Sequence, residues 1–440
     1  MTQANTLLLR GARLLDPSQG LDQLGDLWIA EGKIHKITGP GAAPASDASL
    51  VIEAKGFWVL PSFIDAHVHL REPGQEHKET IESGTRAAAA GGYTAVACMA
   101  NTKPVNDCAE VTQRILEIAS KNGSCRVFPV GAITQGLKGE RLADIEAMFH
   151  AGARGISDDG MTLMNSALLR QAMEIARTLN IPVISHAEDI HLAHGGVMNE
   201  GPRSRALGLP GNPAAAEEIT IARDIALCRL TRCPTHIAHL STETGLEHVK
   251  RAKEAGLPVS AEVAPHHLLL TENDIDGTDT NFKMAPPLRS TLDQRAVLKA
   301  LSEGWIDMIA TDHAPHTPKD KAGGFLGAAN GILGVQSAAS LTYSLVKDGS
   351  LPLGRWIEAL TTAPARLLGI PFGTLKPNAS ADLVVFDPNQ VWTLTAETLL
   401  SKSTNSPFLG RPLAGRVLYT LLGGKIVFSA SGNSGYDGTQ

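Results

Sequence analysis

His67 and His69 stand two residues apart at the end of an apolar run, Phe57 to Ile64. Residues two apart on a strand project from the same face, so both imidazoles can meet at one point. Neutral imidazole is a good zinc ligand. Arg71 follows within reach of the same space, and a guanidinium is suited to gripping a carboxylate. His-x-His alone is a weak signal, because strand-end histidines are often only hydrogen-bonded. Its weight changes with what ends the later apolar runs: Asn101, the pair Asp158-Asp159, His186, His239 and Asp312, with His316 just beyond. His67, His69, His186 and His239 with two aspartates are too many ligands for one tetrahedral zinc. They suit two metals about 3.5–4 Å apart, bridged by a carboxylate and holding a hydroxide between them. An aspartate beside that hydroxide can shuttle its proton. Either Asp158 or Asp159 could be the bridge on this reading.

Such a set converges only if its carrier elements do. Eight apolar, strand-like runs alternate with helical stretches: 58–65, 93–99, 127–132, 155–158, 183–186, 236–239, 259–264 and 308–312. Helical periodicity falls at 80–90, 109–121, 167–179, 214–230, 243–255, 292–303 and 332–346. Eight strand–helix units over some 300 residues predict an α/β chain folded as a (β/α)8 TIM-like barrel, whose functional residues sit where strands end. A doubly wound open sheet would put one crevice at a switch point and would not bring strands one, four, five, six and eight together. Short strands broken by Gly and Pro precede the barrel, at 6–9, 26–30, 34–37 and 51–53. Similar texture returns after about 370, at 381–386 and in a hairpin, 417–422 and 425–428, across Gly423-Gly424. The expected organisation is therefore residues 1–56 and 370–440 forming one small β-sandwich domain from both chain ends, around a catalytic barrel of residues 57–369. The tail from Ser429, rich in Gly and Ser, is expected to be mobile.

Composition narrows the function classes. A formal net charge of -6 with no Lys/Arg block argues against nucleic-acid binding, so an anionic substrate must be met by local positive charge. No apolar run approaches a membrane span, and Met1–Gly20 lacks a signal-peptide core. The five cysteines form no CxxC and read as reduced thiols of a cytoplasmic protein. Other candidates carry less weight. His266-His267 could line the mouth after strand seven, and Lys283 and Arg289 flank Pro286-Pro287 in a loop that could lie over the site. His191 and His194 read as solvated. The Gly-rich stretch 323–334 has no Gly-Lys-Ser/Thr and reads as a flexible pocket edge rather than a phosphate loop.

At these residues the chain resembles the amidohydrolase superfamily and, within it, the dihydroorotases of the bacterial type with a bridging aspartate. Two segments carry the likeness: 65–73, Asp-Ala-His-Val-His-Leu-Arg-Glu-Pro, and 310–321, Ala-Thr-Asp-His-Ala-Pro-His-Thr-Pro-Lys-Asp-Lys. It extends through 100–104, 157–160, 207–211, 265–268 and 381–384. The resemblance implies two zinc ions on His67, His69, Asp159, His186, His239 and Asp312, bridged by Asp159 and a hydroxide, with Asp312 as general acid/base. In related hydantoinases the bridge is a carboxylated lysine on strand four, and here that strand ends in Asp-Asp. Arg71, Asn101 and His316 match positions that hold the substrate carboxylate. Ala285 stands where the family often has Asn, and Asn330-Gly331 where it often has Phe-Gly, both near the pyrimidine ring. The implied reaction is the reversible cyclisation of N-carbamoyl-L-aspartate to dihydroorotate in pyrimidine synthesis. A homodimer is expected, with an aspartate transcarbamoylase as a candidate partner. The competing readings are a sibling cyclic amidase, which would not need Arg71 with Asn101, and a non-catalytic scaffold subunit, which would typically have lost ligands.

Overall fold

The structure, a computed structural model, describes residues 6–42, 46 and 48–431. The chain begins with strands β1 (Thr6–Asp16), β2 (Leu21–Ala30), β3 (Lys33–Thr38), β4 (Leu50–Glu53) and β5 (Trp58–Pro61). The first apolar run was expected as one barrel strand from 58 to 65. It is instead divided at Ser62: Trp58–Pro61 pairs in the small sheet, and the barrel strand starts at Phe63.

Barrel strands follow as β6 (Phe63–Val68), β7 (Tyr93–Cys98), β8 (Arg126–Pro129) and β9 (Val183–Ser185). A short parallel pair, β10 (Met198–Asn199) and β11 (Gly211–Asn212), ties the loop after β9. Then come β12 (Thr235–Ile237), β13 (Val259–Val263) and β14 (Met308–Ile309). Parallel pairing runs β6–β7–β8 and β9–β12–β13–β14. Bridges Gly131–Ile156 and Ile156–Val183 join these halves, and Val68–His313 closes the ring. The expected fourth strand, 155–158, is thus reduced to single bridges at Ile156. Beyond it a side chain replaces the ladder: Asp158 accepts from the backbone N–H groups of Ile133 (2.8 Å) and Thr134 (3.0 Å).

Six of the expected helices appear close to their predicted bounds, among them Ala109–Asn122, Ser166–Leu179 and Ala215–Thr231. The last expected one, 332–346, begins only at Ala338. Residues 332–333 stay out of the helix because the mouth recruits them: Ile332 bridges His313, and Leu333 donates to Asn405 O, with a turn at 335–337 leading into the helix. Seven described α-helices were not expected from the sequence, and the longest of them, Ile145–Ala151, Leu353–Leu360 and Thr362–Leu368, have only seven, eight and seven residues. That is about two turns, too brief to establish a period.

The chain returns to the first sheet with β15 (Leu383–Thr393), β16 (Pro412–Leu422) and β17 (Lys425–Ser429), giving the order β17–β16–β15–β5–β1–β2–β3 with β4 also on β1. The predicted hairpin is present. Leu422 pairs with Lys425, and Gly423 and Gly424 have φ of 55° and 78°, as a two-residue I′-like turn requires. Trp58, Phe63, Tyr343, Trp356 and Phe386 pack where this sheet meets the barrel, with ring centroids 5.1–6.0 Å apart. The tail was expected to be mobile from Ser429; Ser429 instead closes β17, and residues 432–440 lie outside the described residues. No described helix is long and apolar enough to cross a membrane.

Candidate active site

The ends of β6, β9 and β12, together with the segments after Ile156 and β14, bring their side chains to one buried point. His67 Nε2 lies 3.4 Å from Asp159 Oδ1 and 3.6 Å from Asp312 Oδ1. His69 Nε2 lies 3.1 Å from Asp312 Oδ1 and 3.5 Å from Asp159 Oδ2. His186 Nδ1 and His239 Nε2 approach Asp159 Oδ1 at 3.4 and 3.7 Å and each other at 2.9 Å. All six residues are buried. Of the two adjacent aspartates, Asp159 faces the imidazoles, while Asp158 is occupied by Ile133 and Thr134.

These separations suit cations. Ligand atoms about 2.1 Å from a tetrahedral metal stand about 3.4 Å apart. His67, Asp159 and His239, and again His67, His69 and Asp312, each offer ligand atoms within 4.8 Å of one another. His67 Nε2 and Asp159 Oδ1 are buried without a hydrogen-bond partner among the described residues, an arrangement that is costly unless a further group completes it. Burial opposes ionisation throughout. Even so, His67 and its fellow imidazoles hold Asp159 well below the ordinary carboxylate range and Asp312 down to about 2. Burial likewise pushes His67 down, but Asp159, Asp312 and Glu262 outweigh it and hold its pKa well above the usual value. Positive charge is therefore favoured at the centre of the cluster.

The surrounding groups aim the ligands. His67 Nδ1 is 2.7 Å from Glu262 Oε1, and His69 Nδ1 is 2.9 Å from Asn101 Oδ1, so each ring directs Nε2 into the cluster. Thr311, next to Asp312, donates its N–H and hydroxyl to Asp65 at 3.0 and 2.6 Å. Arg71, His239 and Asp312 all have left-handed backbone, with φ of 62°, 35° and 48°. Non-glycine residues rarely adopt it, and it costs of order 1–3 kcal/mol where it is imposed. It turns the chain sharply where each strand ends.

Beside the cluster stands a buried cation. Arg71 is 8% exposed, donates from Nε to Pro315 O at 3.2 Å, and has Nη2 3.3 Å from His316 Nε2. Burial lowers its pKa to about 10, so it stays charged at neutral pH. Burial and the neighbouring Arg71 push His316 down to about 3, which leaves it neutral and able to accept from the guanidinium. The carboxylates that follow Arg71 in sequence are bonded elsewhere. Glu72 accepts from Ile81 N, Glu76 from Gly74 N, and Glu79 from Ser83, Ser401 and Lys402. Asn101 turns its carbonyl to His69, which leaves its amide hydrogens for another acceptor. A buried guanidinium that bonds no carboxylate among the described residues, beside a cluster that could hold cations, suits an anionic ligand.

Comparisons with known proteins place this geometry. A family model described as dihydro-orotase-like matches residues 56–245, and one described as the amidohydrolase family matches 234–428. A protein named dihydroorotase from Anaeromyxobacter dehalogenans (strain 2CP-1) is 47% identical over 426 residues, covering 96% of this chain and 98% of its own. Another of that name, from Geobacter metallireducens, is 48% identical over 422 residues, covering 96% and 99%. The chain belongs to the dihydroorotase family. Among solved structures, an L-hydantoinase (dihydropyrimidinase) from Arthrobacter aurescens superposes with a TM-score of 0.86 at 24% identity over 96% of each chain. A D-hydantoinase (dihydropyrimidinase) from Thermus sp. gives 0.82 at 25%, covering 96% and 94%. These agree with the barrel and its flanking sheet.

For a dihydroorotase-family chain, the two sequence departures fall together: Ala285 and Asn330 line one small polar cavity of about 50 Å³ with Glu188 and Asn212. Gly331 approaches His316 so closely that a Cβ there would sit 2.6 Å from the ring and 2.7 Å from Ala314 O, at φ 154°. Gly331→Ala should therefore push His316 off Arg71 and cost about 1–3 kcal/mol of stability. Denaturant midpoints and the KM for the anionic substrate check this, and an unchanged KM would separate Gly331 from the anion grip. Asn405, which sequence reasoning did not single out, locks the same corner. Its amide donates to Ala314 O and Gly331 O, and its carbonyl accepts from His316 N.

Glu262 also went unpredicted. A lone glutamate inside the apolar strand Val259–Val263 was the available signal, since a buried carboxylate needs partners. Lys283 and Arg289 hold loops rather than line the mouth. Lys283 donates to Leu326 O and Ala328 O, and Arg289 to Ser241, Asn199 and Asn212. His267 is bonded to Pro286 O, and His191 is exposed, as expected.

Proposed function

We propose that this chain catalyses the reversible cyclisation of N-carbamoyl-L-aspartate to (S)-dihydroorotate and water, with two zinc ions held by His67, His69, Asp159, His186, His239 and Asp312. The observation that carries this reading over a general cyclic amidase is Arg71, a buried cation that bonds no carboxylate among the described residues, beside the ligand cluster. Only a ring bearing a carboxylate needs it.

Bound zinc would supply Lewis acidity at the ring amide carbonyl and lower the pKa of an attacking water. The remaining work falls to side chains. Arg71, with Asn101 and His316, holds the substrate carboxylate and so turns the amide toward the cluster. The cavity at Ala285 and Asn330 takes the ring edge. In the hydrolytic direction a water oxygen bonds to the amide carbon, and Asp312 takes the proton that water loses. As the carbon–nitrogen bond breaks, Asp312 gives that proton to the departing ring nitrogen. In ring closure the ureido nitrogen bonds to the carboxyl carbon and gives a proton to Asp312, which passes it to the oxygen that departs as the carbon–oxygen bond breaks; a second proton, from solvent, completes the water.

The test is steady-state turnover of dihydroorotate, dihydrouracil and hydantoin by the zinc-loaded protein. Dihydroorotate should be opened far more efficiently than dihydrouracil, the same ring without the carboxylate. Equal efficiency on the two would sink the substrate assignment. Metal analysis of protein purified without chelator should approach two zinc per chain. Chelation should abolish turnover and zinc should restore it. A fully active protein with one metal would remove the bridging role from Asp159. A cytoplasmic location fits five cysteines that are all unpaired. The homodimer and a transcarbamoylase complex are readily tested by sedimentation, alone and with that enzyme added.

A further inference from the structure

Behind His67 a hydrogen-bonded chain runs down the barrel interior. Glu262 uses one oxygen on His67 Nδ1, at 2.7 Å, and the other on His236 Nε2, at 2.9 Å. His236 Nδ1 is in turn 2.8 Å from Ser260 Oγ. His67, Glu262 and His236 are at most 1% exposed. Ser260 lines a cavity of about 460 Å³ that also meets Pro182, Pro234 and Pro258, the residues that lead into β9, β12 and β13. The chain therefore connects the mouth of the barrel to its opposite floor through β6, β13 and β12.

Its direction follows from the groups in it. A carboxylate only accepts, so both ring nitrogens facing Glu262 carry hydrogen. With Nδ1 engaged by Glu262, the His67 ring turns Nε2 toward Asp159 and Asp312, 3.4 and 3.6 Å away. On its far side the ring of His236 is held through Nδ1 by the Ser260 hydroxyl, a group that can donate or accept. Each member fixes the next. The backbone N–H of His239, 3.3 Å from the Glu262 oxygen that meets His67, adds a weak third tie.

We propose that His236, anchored by Ser260, is a positioning residue for the metal centre: by holding one oxygen of Glu262 it aims the other at His67 and fixes the tautomer that presents Nε2 to the cation. This rests on the reading of the cluster as a zinc site. Without His236, Glu262 keeps its charge but loses half of its restraint, and the ring of His67 loses its fixed orientation.

The experiment measures zinc dissociation constants on chelator-stripped full-length protein, by competition with a chromophoric chelator, beside thermal unfolding of the same stripped samples. His236→Leu should weaken the tighter zinc by roughly 10–100-fold, the range for loss of a residue that orients a ligand. His236→Gln, whose amide nitrogen can reach the place of Nε2, should recover most of that loss. Ser260→Ala, a mild change that keeps the test open if His236→Leu fails to fold, should weaken zinc by about three- to tenfold. Variants that unfold at lower temperature yet bind zinc within twofold of wild type would overturn the proposal. So would a glutamine variant no better than leucine. Wild-type protein that binds no zinc would overturn the metal reading itself, which is a distinguishable result.

Discussion

Asp312→Asn should reduce turnover in both directions by roughly 10²–10⁴-fold, the range expected when a positioned general acid/base is removed. Asp312 Oδ1 sits between His69 Nε2 at 3.1 Å and His67 Nε2 at 3.6 Å, so the carboxylate already faces the reacting space. The imidazoles keep it ionised despite complete burial, which is the state needed to receive a proton from water. Asparagine preserves shape and one acceptor oxygen but cannot carry a proton between oxygen and nitrogen. It also removes a charge from the cation site, so zinc content has to be measured on the same preparation. Near-normal turnover in a zinc-replete variant would remove Asp312 from the mechanism.

Arg71→Met should change what the enzyme prefers. The guanidinium is buried among Pro315 and His316, and its nearest acidic neighbours in sequence are bonded to other groups. A charge-assisted contact to the substrate carboxylate is worth roughly 1.5–3 kcal/mol, so kcat/KM for dihydroorotate should fall by at least about tenfold. Dihydrouracil makes no such contact, and its efficiency should change little. The preference between the two rings therefore narrows. If Arg71 served only to hold the 315–316 turn, both substrates would suffer alike.

The clustered residues were legible because of where they stand in the sequence. His67, His186, His239 and Asp312 each close an apolar run, and a barrel gathers strand ends at one face. Arg71 was legible from its spacing to His69. What the sequence concealed was the company these residues keep. Asp158 and Asp159 are adjacent and alike in sequence, and what sets them apart is that Ile133 N–H and the N–H and hydroxyl of Thr134 occupy Asp158. Glu262 and Asp65 lie within apolar strands, with partners more than 190 residues away in sequence. Asn405 reaches the mouth from a segment beyond the barrel helices and has no periodic signature. Ser62 divided a run that pattern alone reads as continuous, because the strand before it pairs with β15 rather than with a barrel neighbour.

That division matters for how the chain is made. β5 lies between β1 on one side and β15 on the other, so its first partner precedes it and its second is more than 300 residues downstream. During synthesis β5 leaves the ribosome early, with one edge unpaired while the whole barrel is translated. An apolar edge in that state is a template for pairing with other nascent chains. The strand that blocks it arrives almost last, together with the aromatic residue Phe386 that packs on Trp58. Ribosome-associated holdases, and a translation rate that does not stall between 61 and 383, would shorten the exposure of that edge.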